Sequence, residues 1–102
     1  MKVRAHPLVY DELEHYRSWY DSKARHLGTD FVGEVDYAVK RIAESPETWP
    51  WYDKTIEVRK FLVHRFPFGV IYRNKIGVVQ LLAIADLRRK PGYWKDRLSF
   101  FR

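Results

Sequence analysis

Phe68-Gly69-Val70-Ile71-Tyr72-Arg73, then Asn74-Lys75-Ile76-Gly77, then Val78-Val79-Gln80-Leu81-Leu82-Ala83-Ile84-Ala85: these eighteen residues decide the fold. The first run is β-branched and aromatic, the middle four residues suit a hairpin turn, and the last run is almost wholly apolar. An apolar run too short to span a bilayer predicts a strand buried on both faces, in the middle of a sheet. Upstream, Val58 to His64 alternates as a further strand, and Phe66-Pro67 separates it from the next. Downstream, Pro91-Gly92 forces a turn, and the tail from Tyr93 reads as a short helix or irregular chain.

The first half has a different period. Lys2 to His6 alternates as a short edge strand and ends at Pro7, which suits the first turn of a helix. Val9, Leu13, Tyr16, Tyr20, Ala24 and Leu27 then recur at spacings of four and three, the signature of one helical face. Gly28 is expected as the C-cap of that helix, and Thr29 or Asp30 as the N-cap of a second. The second helix carries Phe31, Val35, Val39 and Ile42 on its apolar face and stops at Ser45-Pro46. Glu47 to Lys54, with Trp49, Trp51 and Tyr52, is expected as an aromatic loop lying over the core. The whole is an α+β chain: a strand, an antiparallel helical hairpin, then a meander of antiparallel strands and a short tail. The helical pair is expected to cover one sheet face, leaving basic residues on the other.

The chain's 102 residues predict one domain, 1–102. Zero cysteines exclude disulfides and thiolate metal sites, and with no secretory h-region at the N-terminus this predicts a cytoplasmic protein. The net charge of +6 is unevenly spread. Residues 1–53 hold seven Lys/Arg against ten Asp/Glu, whereas residues 54–102 hold twelve against three. Such a split steers acidic partners toward one face.

Four histidines lack metal-ligand spacing, and neither a Gly-x-Ser-x-Gly elbow nor a phosphate-binding glycine loop occurs, so no metal or cofactor is expected. What remains is a basic and aromatic constellation. Arg59, Lys60 and Arg65 fall on the first strand of the meander, Arg73 on the second, and Arg88, Arg89 and Lys90 just past the last, followed by Tyr93, Trp94, Lys95 and Arg97. Arginines can clamp phosphates and rings can stack on bases. Metal-free RNA cleavage needs a base for the 2′-OH, cations for the phosphorane and an acid for the leaving oxygen.

Three segments resemble proteins of the RelE/ParE toxin superfamily. They are Leu27-Gly28-Thr29-Asp30-Phe31-Val32-Gly33-Glu34-Val35, the stretch Val58-Arg59-Lys60-Phe61-Leu62-Val63 through Arg65-Phe66-Pro67-Phe68 to Arg73, and the closing Leu82 to Trp94 with Arg88-Arg89-Lys90-Pro91-Gly92-Tyr93-Trp94. The resemblance implies the toxin of a type II, plasmid-stabilisation-type toxin–antitoxin pair, neutralised by an acidic antitoxin in a hetero-oligomer. RelE-like members cleave mRNA on the ribosome without a metal, the activity expected here; the alternative is ParE-like inhibition of DNA gyrase, or a relative that retains only antitoxin binding. Matched residue by residue, the nuclease arginine of the middle strand falls at Gly69, and a second falls at Arg88 or Arg89. The C-terminal tyrosine falls near Tyr93, and a strand-end histidine falls at Asp86. Arg65 and Arg73 are expected to supply the charge missing at Gly69, so the candidate catalytic set is Arg65, Arg73, Arg88, Arg89 and Tyr93.

Overall fold

The computed structural model describes residues 1–101. Pro7 opens α1 (Pro7–Lys23), and the His6 ring caps it, Nδ1 accepting the Leu8 N–H at 3.1 Å. The helix stops at Ala24, whose N–H bonds back to the Tyr20 carbonyl, and α2 (Leu27–Glu44) begins three residues later. Ser45 ends α2 ahead of Pro46, as the proline requires.

The turn between the helices corrects the expected caps. The left-handed residue is His26 (φ 65°), at the N-cap position of α2 with no side-chain cap bond. Gly28 lies inside the first turn of α2, and Asp30, expected as a cap, is in that turn too. Gly28 serves close approach instead of a positive φ. Its N–H bonds the Asp21 carboxylate at 2.7 Å, and a Cβ there would collide with the Arg17 carbonyl and Asp21. The two helices touch through the space a side chain would need.

The strands are β1 (Lys2–Ala5), β2 (Trp51–Asp53), β3 (Val58–Leu62), β4 (Phe68–Lys75) and β5 (Val78–Asp86). They form one sheet in the order β1-β5-β4-β3-β2, with β1 parallel to β5 and the other neighbours antiparallel. The apolar run is therefore the strand between β1 and β4, and its lack of alternation has a structural cause: both faces are covered. Val79, Leu81 and Ile84 join Val9, Tyr20, Phe31, Val35 and Ile42 in the core beneath the helices. Leu82, Ala83 and Ala85 join Ile71, Val58, Trp94 and Phe101 on the far face. The register slips between Ile71 and Tyr72, which oppose Ala83 and Leu81, so Leu82 is an extra residue that changes which face each later residue meets.

Two expectations need correcting. Part of the aromatic segment is strand: β2 pairs Trp51 with Arg59 and Asp53 with Val58, and a 3-10 turn at Lys54–Ile56 leads into β3. Its rings separate, Trp49 packing on Phe61 in the helix-side core and Tyr52 on Trp94 on the far face. The tail forms a short helix, as one of the two expected outcomes, a 3-10 helix (Lys95–Phe101); it lies on the sheet face away from α1 and α2, so that face carries an apolar cluster where basic residues were expected. No helix among the described residues is long and apolar enough to cross a membrane.

The β4–β5 hairpin closes through Ile76 and Gly77, both at positive φ (52° and 70°), the backbone of a type I′ turn. Isoleucine is poorly suited to that conformation, and this one is 93% exposed. Ile76→Asn is expected to raise stability by roughly 0.5–1 kcal/mol, read from the urea midpoint at unchanged slope. Gly28→Ala is expected to do the reverse, costing about 1–3 kcal/mol by overpacking the helix contact.

Candidate functional site

Past Ala5 the chain leaves the sheet, with His6 N–H donating the last bond to the Leu81 carbonyl at 2.9 Å. The rest of that edge of β5 is served by side chains. The Ile84 N–H donates to Glu12 Oε1 at 3.0 Å, and the Leu82 carbonyl accepts from Arg97 Nη1 at 3.0 Å. Glu12 and Arg97 pair bidentately at 3.0 Å, with only 11% and 10% of their side chains exposed. Tyr93 adds its hydroxyl, donating to Glu12 Oε2 at 2.8 Å. One carboxylate thereby fastens α1, β5 and the tail together.

Tyr93 is thus committed. Burial, then the adjacent Glu12 charge and hydrogen bond, hold its phenol well above the ordinary range. Two guanidinium groups approach its ring, Arg89 Cζ at 4.0 Å and Arg97 Cζ at 5.3 Å from the centroid.

Asp86, at the end of β5, engages Arg88 through three bonds: the backbone N–H at 2.9 Å, Nε at 2.9 Å and Nη2 at 3.0 Å. Chiefly because of the Arg88 side-chain hydrogen bonds, the Asp86 carboxyl sits below its usual range. The charges cancel locally, and Arg88 is folded back on its own turn.

Beside these pairs lies a groove of about 180 Å³ lined by Tyr52, Lys60, Ile71, Ala85, Lys90 and Trp94, among others. Gly69 lies close by, and its missing side chain has a consequence here. A Cβ there would come within 3.0 Å of Lys60 Cγ, so the lysine's aliphatic stem crosses the position. The stem that crosses beside Gly69 on β4 belongs to a cation of β3. The Lys60 ammonium lies 5.5 Å from the Tyr52 ring centroid.

Of the five sequence candidates, Arg88, Arg89 and Tyr93 gather at this end of the sheet. Arg65 and Arg73 are engaged elsewhere. Arg65 is in the β3–β4 turn and not on a strand; it lies 3.7 Å from Asp30 and 5.4 Å over the Phe66 ring, toward α2. Arg73 bonds Gln80 Oε1 at 2.9 Å. It is five residues along β4 from Phe68, the partner of Asp86, which is roughly 17 Å of strand. Neither replaces a charge at Gly69. The Glu12–Arg97 pair has one signal in the sequence: Glu12 falls three residues after Val9 and four before Tyr16, on the helix's inward face.

Replacing Glu12 by Gln leaves the buried Arg97 charge unpaired, with an expected loss of about 3–5 kcal/mol in chemical denaturation. The Asp86–Arg88 clasp has an acid signature. Because Asp86 is lowered on folding, its contribution is complete above the ordinary aspartate value of about 3.9 and fades as pH falls through the lowered one. Asp86→Asn is expected to lower stability at neutral pH and to converge with the parent in strong acid, measured by denaturation midpoints against pH.

No family model matches the chain, and no curated protein matches it either. Among solved structures it is similar to a chain of the "Chromosomal ParDE TA system from P. aeruginosa", at TM-score 0.76 and 18% identity, covering 86% of this chain and 97% of that one. The strand, helical hairpin and antiparallel meander are thus those of the ParE-like fold.

Proposed function

We propose that this chain is the toxin half of a toxin–antitoxin pair, held in check by an acidic antitoxin, and that it arrests growth by binding its target without cutting RNA. The fold likeness and the charge split support the first part. One observation carries the second: of the three nuclease candidates gathered here, two are occupied by a carboxylate and the third, Arg89, lies over the Tyr93 ring. Arg88 is clasped by Asp86, and Tyr93 donates to Glu12.

Metal-free cleavage of an RNA strand needs a free base, a free acid and cations positioned on the phosphate. Tyr93 is a poor acid, since its raised phenol already gives its proton to a hydrogen bond. Asp86 is a poor base, because the lowered carboxyl resists taking a proton. No histidine lines the groove. Lys60, Arg89 and Lys90 remain as cations there without an ion pair among the described residues, suited to attraction to an acidic surface but not to proton transfer. Of the two mechanisms that the resemblance implies, these engaged groups favour inhibition of DNA gyrase.

Tightly controlled induction of the chain alone, with pulse-labelling of DNA, RNA and protein synthesis, tests the reading. DNA synthesis is expected to stop first, supercoiling by gyrase to be inhibited, and co-expression of an acidic antitoxin to restore growth. Arg88→Ala and Tyr93→Phe are expected to keep the arrest. An early stop in protein synthesis with cleaved mRNA, abolished by Arg88→Ala, would reinstate ribosome-dependent cleavage. Unimpaired growth with folded protein present would remove the toxin assignment.

A further inference from the structure

The groove at the end of β5 is lined by three cations, Lys60, Arg89 and Lys90, and, among the described residues, by a single acid, Asp86. That acid lies deep. Only 12% of its side chain is exposed, against 62% for its partner Arg88. The sheet fixes its backbone: Asp86 opposes Phe68 at the last step of the β4–β5 ladder, and the next residue, Leu87, donates its N–H to the Pro67 carbonyl at 3.0 Å. The Asp86 carbonyl in turn accepts the Arg89 N–H at 3.0 Å. The carboxylate is therefore held at the rim of the cationic groove by structure on both sides of it.

The donors that converge on Asp86 form an anion site that is already filled. The Arg88 N–H and Nε both donate to Oδ1 at 2.9 Å, and Nη2 donates to Oδ2 at 3.0 Å. A guanidinium fork takes a carboxylate or a phosphate in the same bidentate way. Asp86 thus occupies the place on Arg88 that a phosphate would take. Those same bonds hold its carboxyl below the usual range, so it is charged at neutral pH. A phosphodiester entering the groove finds the Arg88 fork taken and meets a fixed negative charge, and like charges a few ångströms apart in a partly buried site repel strongly.

We infer that Asp86 is the specificity-determining residue of this groove, a resident anion that keeps single-stranded RNA from settling among Lys60, Arg89 and Lys90. A chain of net charge +6 attracts polyanions without distinction. Discrimination then requires a group that penalises the wrong ligand, and a buried-edge carboxylate does this for phosphodiesters at contact range. The inference rests on the reading that the groove does not work on RNA, and it names the residue responsible.

The test uses the full chain, its Asp86→Asn variant and a fluorescein-labelled hexauridylate, read by fluorescence anisotropy over a salt series under conditions where circular dichroism shows each protein folded. Asparagine keeps the shape and can still accept the Arg88 N–H, but the charge is gone. Asp86→Asn is expected to bind the strand roughly tenfold more tightly than the parent, or better, with a salt dependence steeper by about one phosphate contact. Its ¹⁵N amide shifts are expected to centre on Lys60 and Arg88–Lys90, and Asp86→Ser, a second neutral variant, is expected to show the same gain. Adding Arg88→Ala to Asp86→Asn is expected to reverse most of it. Asp36→Asn removes an exposed acid from α2, on the other side of the sheet, and is expected to change affinity less than about twofold. Equal affinities of the parent and both neutral variants, or an equal gain from Asp36→Asn, would overturn the inference and leave the toxin reading standing. Tight binding and cutting of the strand by the parent itself would overturn both.

Discussion

The edge of β5 beyond Leu81 is the point on which the rest of the structure depends. A parallel neighbour strand would normally bond it, but β1 is four residues long and leaves at His6. Two backbone groups, the Ile84 N–H and the Leu82 carbonyl, would be buried without partners, at a cost of about 1–3 kcal/mol each. Glu12 and Arg97 take the place of the missing strand. Their mutual charge makes the substitution self-consistent, since each neutralises the other where little water reaches. The Leu82 bulge, the rotation of α1 about its axis and the seating of the tail are therefore coupled: none can shift without exposing a charge in the interior.

That coupling accounts for what could and could not be read in the sequence. The elements of the meander were legible because each depends on local pattern: β-branched runs, a glycine-containing turn and an apolar strand. The edge position of β1, the central position of β5 and the proline stop of α2 follow from equally local rules. The far-face covering was not legible, because a seven-residue 3-10 helix has no strong intrinsic signal and owes its shape to Trp94, Phe101 and the Arg97 pair. Gly28 misled for a different reason. A glycine between two helical patterns ordinarily marks a left-handed cap, but closeness of backbone to backbone is a tertiary demand that the same residue satisfies.

At the candidate site, residue type was legible and availability was not. Arg88, Arg89 and Tyr93 do share one end of the sheet, but composition cannot tell a free guanidinium from one bound to a carboxylate two residues away. Arg73 was misplaced by distance along its strand, and Arg65 by the turn that carries it. Gly69 was legible as a missing charge, while Lys60 reaching across from the next strand was not, because cross-strand register depends on the turn between β3 and β4.

The formal surplus of cations in residues 54–102 thus divides into two populations with different uses. Arg97 and Arg88 are held by Glu12 and Asp86, and Lys95 and Lys75 approach Asp53 and Glu57 at 4.0 and 3.4 Å. Such pairs still count in the long-range field, because a protein's net charge is unaffected by how its charges are arranged. They count little at contact, where a phosphate or carboxylate must compete with a partner already in place. Lys60, Arg89 and Lys90 at the groove can therefore act both at distance and at contact, whereas the clasped Arg88 and Arg97 act mainly at distance. An arrangement of this kind draws an acidic partner from a distance through all of these charges and leaves direct contact to the few that are not already paired.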